Sequence, residues 1–392
     1  MLAHSPPLPL IIDYDNDSCN ITEGVEYDII LALEQRERVH RIRLRLPIQN
    51  MERLIKVIDG EYPILKYLIM ATPDEDKSAS LILAETFQAP HLRHLSLEGI
   101  AIPIGSRLLT TAVGLVALVL IMKHPSAYLQ PNALLQWISF KPDLEILVVI
   151  FYFPVLSRDV ERQLMRAPIT THVTLPKLLE LAFRGPSAYL EAVVRHITPH
   201  RLEDLQIAFP NQLTFSIPCL LQFMHTTENL RFNYATFLFH DESVIVGGFP
   251  DEKTYSFDIA VNCWHLDWQV SSAAQISNAL SQKFSTVEHL YFGHEAHSRS
   301  SEEHNEVDST EWRKLLGSFI NLKTLEIPDG LIGEFSHCLQ LDDGEHPLEL
   351  LPELQELILS RRSAVGNAFT EFIDVRKSAG RPVSLTCRWT PF

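Results

Sequence analysis

The segment HLRHLSLEGI, residues 91–100, sets Leu92, Leu95 and Leu97 in an L-x-x-L-x-L frame, and the frame returns along the chain. Its anchors are Val39/Ile42/Leu44, Leu65/Leu68/Met70, Leu92/Leu95/Leu97, Leu115/Leu118/Leu120 and Leu144/Leu147/Val149, then Leu178/Leu181/Phe183, Leu202/Leu205/Ile207, Val287/Leu290/Phe292, Leu322/Leu325/Ile327 and Leu354/Leu357/Leu359. First anchors follow one another at 23 to 35 residues, with one gap of 85 between Leu202 and Val287. One match in a leucine-rich chain means nothing; ten at quasi-regular spacing define a repeat. The last two anchors of each frame alternate along a short strand and point into one core.

Helical spacing fills the intervals at 24–39, 48–60, 131–140 and 309–320, where Ser309 or Thr310 followed by Glu311 suits a helix start. Strand and helix recurring at this period predict an α/β fold, an irregular leucine-rich-repeat-like solenoid over 1–392. A curved parallel sheet would line its concave side and helices its convex side. The asparagine expected three positions after the last anchor is missing from every unit; Pro47, Pro73, Pro186 and Pro210 stand there in four of them. Residues 210–286 read as degenerate or inserted units, with strands at 229–239 and 255–263, an exposed turn at 246–253 and a helix at 271–284. The polar stretch 294–310 reads as a mobile loop and 383–389 as a last strand.

The run TTAVGLVALVLIM, 110–122, is too short for the roughly 20 residues a bilayer requires and reads as a buried strand. A net charge of −16 opposes binding to nucleic acid or to anionic membrane. The five cysteines are dispersed, which supports neither a metal knuckle nor a redox pair and suits an intracellular, reducing compartment, cytoplasm or nucleus.

With PLPLIIDYDND, ILALEQRERVHRIRLRLP and the successive units APHLRHLSL, PKLLELAF and PELQELIL, nearly the whole chain resembles the C-terminal body of fungal F-box proteins of the mushroom type. The resemblance implies a divergent leucine-rich repeat and substrate capture for a ubiquitin ligase. The family's F-box is not visible, so an adaptor would be a partner only through a box outside this chain.

No G-x-S-x-G, G-x-G-x-x-G or G-x-x-x-x-G-K-[ST] motif occurs. His91/His94, His294/His297 and His196/His200 lack the spacing or the acidic third ligand of a metal site, and Glu302–Glu303 and Asp342–Asp343 read as solvated acids. No cofactor, metal or catalytic residue is expected. An α/β hydrolase or transferase is the competing reading, and it lacks a polar constellation.

The residues flanking the inward anchors line the opposite face. Arg41, Arg43 and Arg45, with Arg36 and Arg38 upstream, form a basic pole; Tyr67 and His94 follow on the next strands. This pole either receives an acidic segment, from a partner or from the chain's own acidic loops, or keeps an exposed strand from pairing. Further along, Val119, Ile121, Ile146, Val148 and Ile150 make an apolar patch. It is either a contact surface or is covered, by the 210–286 region or by burial on both faces. The expectation is non-catalytic protein recognition on the concave face.

Overall fold

The computed structural model describes residues 8–16, 21–73, 81–153, 169–210, 216–251, 256–295, 308–340, 350–360 and 368–388. Two compact units divide the chain, Met1–Glu203 and Asp204–Phe392. Both are mixed α/β, with a largely parallel sheet and helices in the connections.

In the first unit β1 (Leu10–Asp15), β2 (Val39–Arg45), β3 (Tyr67–Ala71), β4 (His94–Glu98), β5 (Ala117–Met122), β6 (Ile146–Phe151) and β7 (Glu180–Arg184) lie side by side in chain order. Every pairing is parallel. The anchors hold one register across it. Ile42, Leu68, Leu95, Leu118, Leu147 and Leu181 form one row, and Leu44, Met70, Leu97, Leu120, Val149 and Phe183 the next. All the anchors of the ten frames, in both units, are at most 5 % exposed. Burying one such side chain contributes roughly 1.5–3 kcal/mol, and no single strand has enough surface of its own to cover its anchors. Neighbouring strands supply that cover.

Parallel neighbours require a crossover, and local chemistry starts several of the helices in them. Thr22 caps α1 (Glu23–Glu34), its Oγ1 accepting from Val25 N while Glu23 and Glu26 sit in the first turn. Pro47 is the N-cap residue of α2 (Ile48–Ile55) and Pro186 that of α5 (Ser187–Val194). Both prolines hold extended backbone, Pro47 at ψ 147° and Pro186 at ψ 135°, so each ends the strand path just before its helix begins. The segment 110–122 is not one buried strand. Its start belongs to α3 (Arg107–Thr111), and only Ala117–Met122 is extended; Gly114 stands in the turn between. Pro131 opens α4 (Pro131–Ile138) at its first position.

The second unit contains β8 (Asp204–Phe209), β9 (Tyr234–His240), β10 (Ser243–Phe249), β11 (Phe257–Asn262), β12 (His289–Glu295), β13 (Thr324–Pro328), β14 (Glu356–Ser360) and β15 (Ser384–Arg388). Their spatial order is β8-β11-β10-β9-β12-β13-β14-β15. β10 is antiparallel to both neighbours, and the other pairings are parallel. The exposed turn expected at 246–253 is therefore corrected: Val246 is fully buried opposite Phe237, and the Gly-Gly-Phe run is strand. The glycines serve packing, since a Cβ on Gly248 would stand 2.8 Å from the Phe232 ring. The helix expected at 271–284 begins earlier and is split, α7 (Leu266–Ala279) followed by α8 (Ser281–Phe284).

α6 (Pro218–Thr226), α9 (Ser309–Leu316), α10 (Ile332–Cys338) and α11 (Thr370–Ser378) complete this unit. The cap of α9 is Asp308, one residue before the expected start, its carboxylate accepting from Thr310 N at 2.9 Å. Fully buried Trp312 packs at 4.7 Å from Phe335, which meets Phe292 at the same centroid distance. Arg376 is also fully buried and donates to the carbonyls of Leu350, Pro352 and Leu354, tying α11 to the turn before β14. β1 is an edge strand of the first unit's sheet and β15 an edge strand of the second's. Among the described residues no helix is long and apolar enough to cross a membrane. The polar stretch expected at 294–310 falls mostly outside the described residues, as do His297 and the acids Glu302, Glu303, Asp342 and Asp343.

Candidate functional site

The period-2 alternation that buries the anchors turns the intervening residues of β2–β6 to the other face of the first sheet, where register sets them in rows. Arg41, Tyr67, His94, Ala117 and Ile146 form one row. Arg43, Ile69, Ser96, Val119 and Val148 form the second, and Arg45, Ala71, Glu98, Ile121 and Ile150 the third. The structure thus brings the residues singled out on the strands onto this face, each of them partly buried except the exposed Arg45, while Arg36 and Arg38 lie in the turn before β2.

At the arginine end, β1 is a strand the sequence reading did not foresee. It pairs outside β2, so β2 is not a sheet edge, and the arginines do not serve to keep an edge strand unpaired. β1 also delivers acids to the face: Arg43 lies 3.3 Å from Asp15 and 3.9 Å from Asp13. The acidic segment that meets the basic pole is thus in part the chain's own, supplied by a strand instead of a loop. Arg38 is turned away to donate twice to Leu8 O, and Arg41 lies 5.7 Å above the Tyr67 ring. Tyr67 stacks on His94 with centroids 4.6 Å apart and planes 8° from parallel. Burial, with the Arg93 charge adding to it, pushes the His94 imidazole below its ordinary range, so this ring is neutral at pH 7.

Between the aromatic pair and the apolar rows, Lys123 closes on Glu98 at 2.7 Å and donates to Thr72 O. Beyond lie Val119, Ile121, Ile146, Val148 and Ile150 on two adjacent strands, half-exposed rather than buried on both faces. β7 ends the rows with Glu180, Ala182 and Arg184, the last set 5.2 Å over the ring of Tyr152.

A cavity of about 360 Å³ opens at the carboxyl ends of β4 and β5. Its walls are mainly apolar, with Leu97, Leu120, Met122 and Trp137, and Ile82 and Ile104 are largely exposed at its margin. Glu85, Ser126 and Tyr128 are its chief polar contributors. The Tyr128 hydroxyl is buried without a partner among the described residues, and burial holds this phenol far above its usual range.

The histidine pairs do not converge. His91 is exposed and His94 is engaged by Tyr67; His196 packs beside His172 at 4.7 Å, while its expected partner His200 is exposed. No group of three or more His, Cys, Asp or Glu that could hold a metal occurs among the described residues. Three elements escaped the sequence reading: the acids of β1, the Glu98–Lys123 pair, and, in the second unit, Asp204 of β8 and Asp258 of β11. The alternation in IIDYD was a signal for the first; the others depend on register between distant segments. Searched against family models and curated proteins, the chain matches none.

Proposed function

We propose that this chain is a non-catalytic protein-recognition scaffold of the leucine-rich-repeat kind. Its sheet would lie on the concave side, and the open face of the first unit would receive the partner. The reading extends to an intracellular substrate-recognition body resembling that of fungal F-box proteins. A ubiquitin-ligase adaptor would join only through a box outside these residues.

One observation carries it. Five branched aliphatic side chains stand in register on β5 and β6, half-exposed and contiguous. Such a surface is costly to leave hydrated and usually marks a contact. Covering the exposed part of each, no more than about a third, would contribute roughly 0.5–0.8 kcal/mol per side chain, a gross gain of about 3 kcal/mol before association costs. The parallel ladder holds these groups in place beforehand, so little ordering opposes binding.

The test is affinity capture with Val119→Asp/Val148→Asp beside the native chain, with thermal melts of both. Proteins retained by the native chain should be lost from a variant that still folds. Unchanged capture would overturn the proposal. A variant that unfolds would show that the two valines are core residues and would count against it equally.

A further inference from the structure

The second unit carries a group of acceptors that outnumber the donors beside them. Leu205 pairs with Phe257 and Gln206 with Asp258, so β8 and β11 bring Asp204 and Asp258 to one face as diagonal neighbours. Asp204 Oδ2 accepts from Gln206 Nε2 at 3.0 Å, while its Oδ1 is buried and unpartnered. Asp258 is half-buried, and among the described residues it accepts no hydrogen bond and joins no ion pair. On its other side stands Gly247, its cross-strand partner on β10, and beyond that Thr236 on β9.

Thr236 supplies an independent observation. It is only 8 % exposed, and its Oγ1 is buried without a partner. That oxygen lies 2.7 Å from where a Cβ on Gly247 would stand, so it leans over the glycine toward Asp258. Hydroxyl and carboxylate thus flank a position that has no side chain.

Removing carboxylates from water without donors is costly unless a cation or a proton compensates. Burial first, and the Asp204 charge second, push the Asp258 carboxyl up to about 6, so at neutral pH the proton does not supply the compensation. Ca2+ takes six to eight oxygen ligands, more than stand here, and among the described residues no group of three or more His, Cys, Asp or Glu that could hold a metal occurs. An ammonium carries three donors and a guanidinium five, and three acceptors stand ready: Asp204 Oδ1, the Asp258 carboxylate and Thr236 Oγ1.

We propose that Asp204, Asp258 and Thr236 form a receptor for the cationic side chain of a basic partner segment, a lysine or arginine seated over Gly247. The chain's net charge of −16 favours such a partner over long range. This site lies in the second unit and does not depend on the function proposed for the first.

The probe is the peptide acetyl-Gly-Lys-Gly-Arg-Gly-amide, compared by calorimetry at low salt and pH 7.5 with its norleucine/citrulline analogue, using the full chain. The charged peptide should bind at least tenfold more tightly. Asp204→Asn and Asp258→Asn should each abolish that preference, and Thr236→Val should reduce it several-fold, with melts confirming the fold of each variant. Equal binding of the two peptides, or a preference that survives both Asn variants, overturns the site. Tighter binding of CaCl2 or MgCl2, lost in the same variants, would make it a metal site instead.

Discussion

Leu147 and Val148 are consecutive on β6, yet the pleat sends them to opposite faces, and truncating each to alanine separates core from open face. Leu147 is fully buried in a row between Leu118 and Leu181. Its truncation removes about three carbons' worth of transfer, roughly 2.4 kcal/mol, and the cavity left behind raises the loss to about 3–4 kcal/mol. Val148 is partly exposed; losing two carbons, of which about a third of the surface is already wet, costs about 1 kcal/mol. For a unit of this size those values correspond to melting shifts of roughly 6–16 °C against about 2–4 °C. Trp137 is the sole tryptophan between residues 1 and 203, so the 5-fluorotryptophan resonance at that position follows this unit by itself in a urea titration. A Val148→Ala loss equal to or larger than that of Leu147→Ala would refute the assignment of faces, and with it the placement of the patch.

Arg376→Met should destabilise the α11 region by about 3 kcal/mol, because three buried carbonyls lose their donor; hydrogen exchange of 350–360 and 370–378 should rise well above that of β9 and β12. Lys141 is buried with one acceptor, Leu109 O, and burial lowers its amine to about 8. The folded state therefore binds fewer protons than the unfolded state between pH 8 and 10.5, so this group makes stability rise with pH across that window, by about 3 kcal/mol in total. The native chain minus Lys141→Met should show that slope, and parallel pH profiles would contradict it. Gly248→Ala drives a methyl against the Phe232 ring and should cost about 1–3 kcal/mol, visible as a lowered melting point with broadened β9–β11 amide signals.

The anchors were legible because a period of two with leucine at fixed offsets has one physical outcome, burial of that face, and Val39 through Leu359 obey it. Helix existence was legible for the same reason; helix ends were not. Asp308 rather than Ser309 caps α9 because a carboxylate accepting a backbone N–H is a purely local choice among adjacent polar residues. β1 was missed because Ile12 and Tyr14 give only two alternating positions before the chain turns polar. β10 was missed because Gly247 and Gly248 look like a turn until the Phe232 ring and the Thr236 hydroxyl that fill the space are known. Of the open face, the arginine and aliphatic rows followed from alternation; its charge did not, since Asp13 and Asp15 reach Arg43 only through the pairing of β1 with β2. Asp204 and Asp258 belong to segments far apart in sequence, and β11 comes to lie beside β8 only because the β9–β10 hairpin is laid down out of order.

The recognition face itself is tested most directly by placing a photoreactive benzophenone amino acid at Val148 and, separately, at the exposed Phe140, then irradiating the full chain in cell lysate. Crosslinks to a discrete protein should form from position 148, remain absent from position 140, and disappear when Ile121→Asp is added to the 148 probe. Adducts of equal yield from both positions, or none from 148 while another surface captures the same protein, would contradict the account.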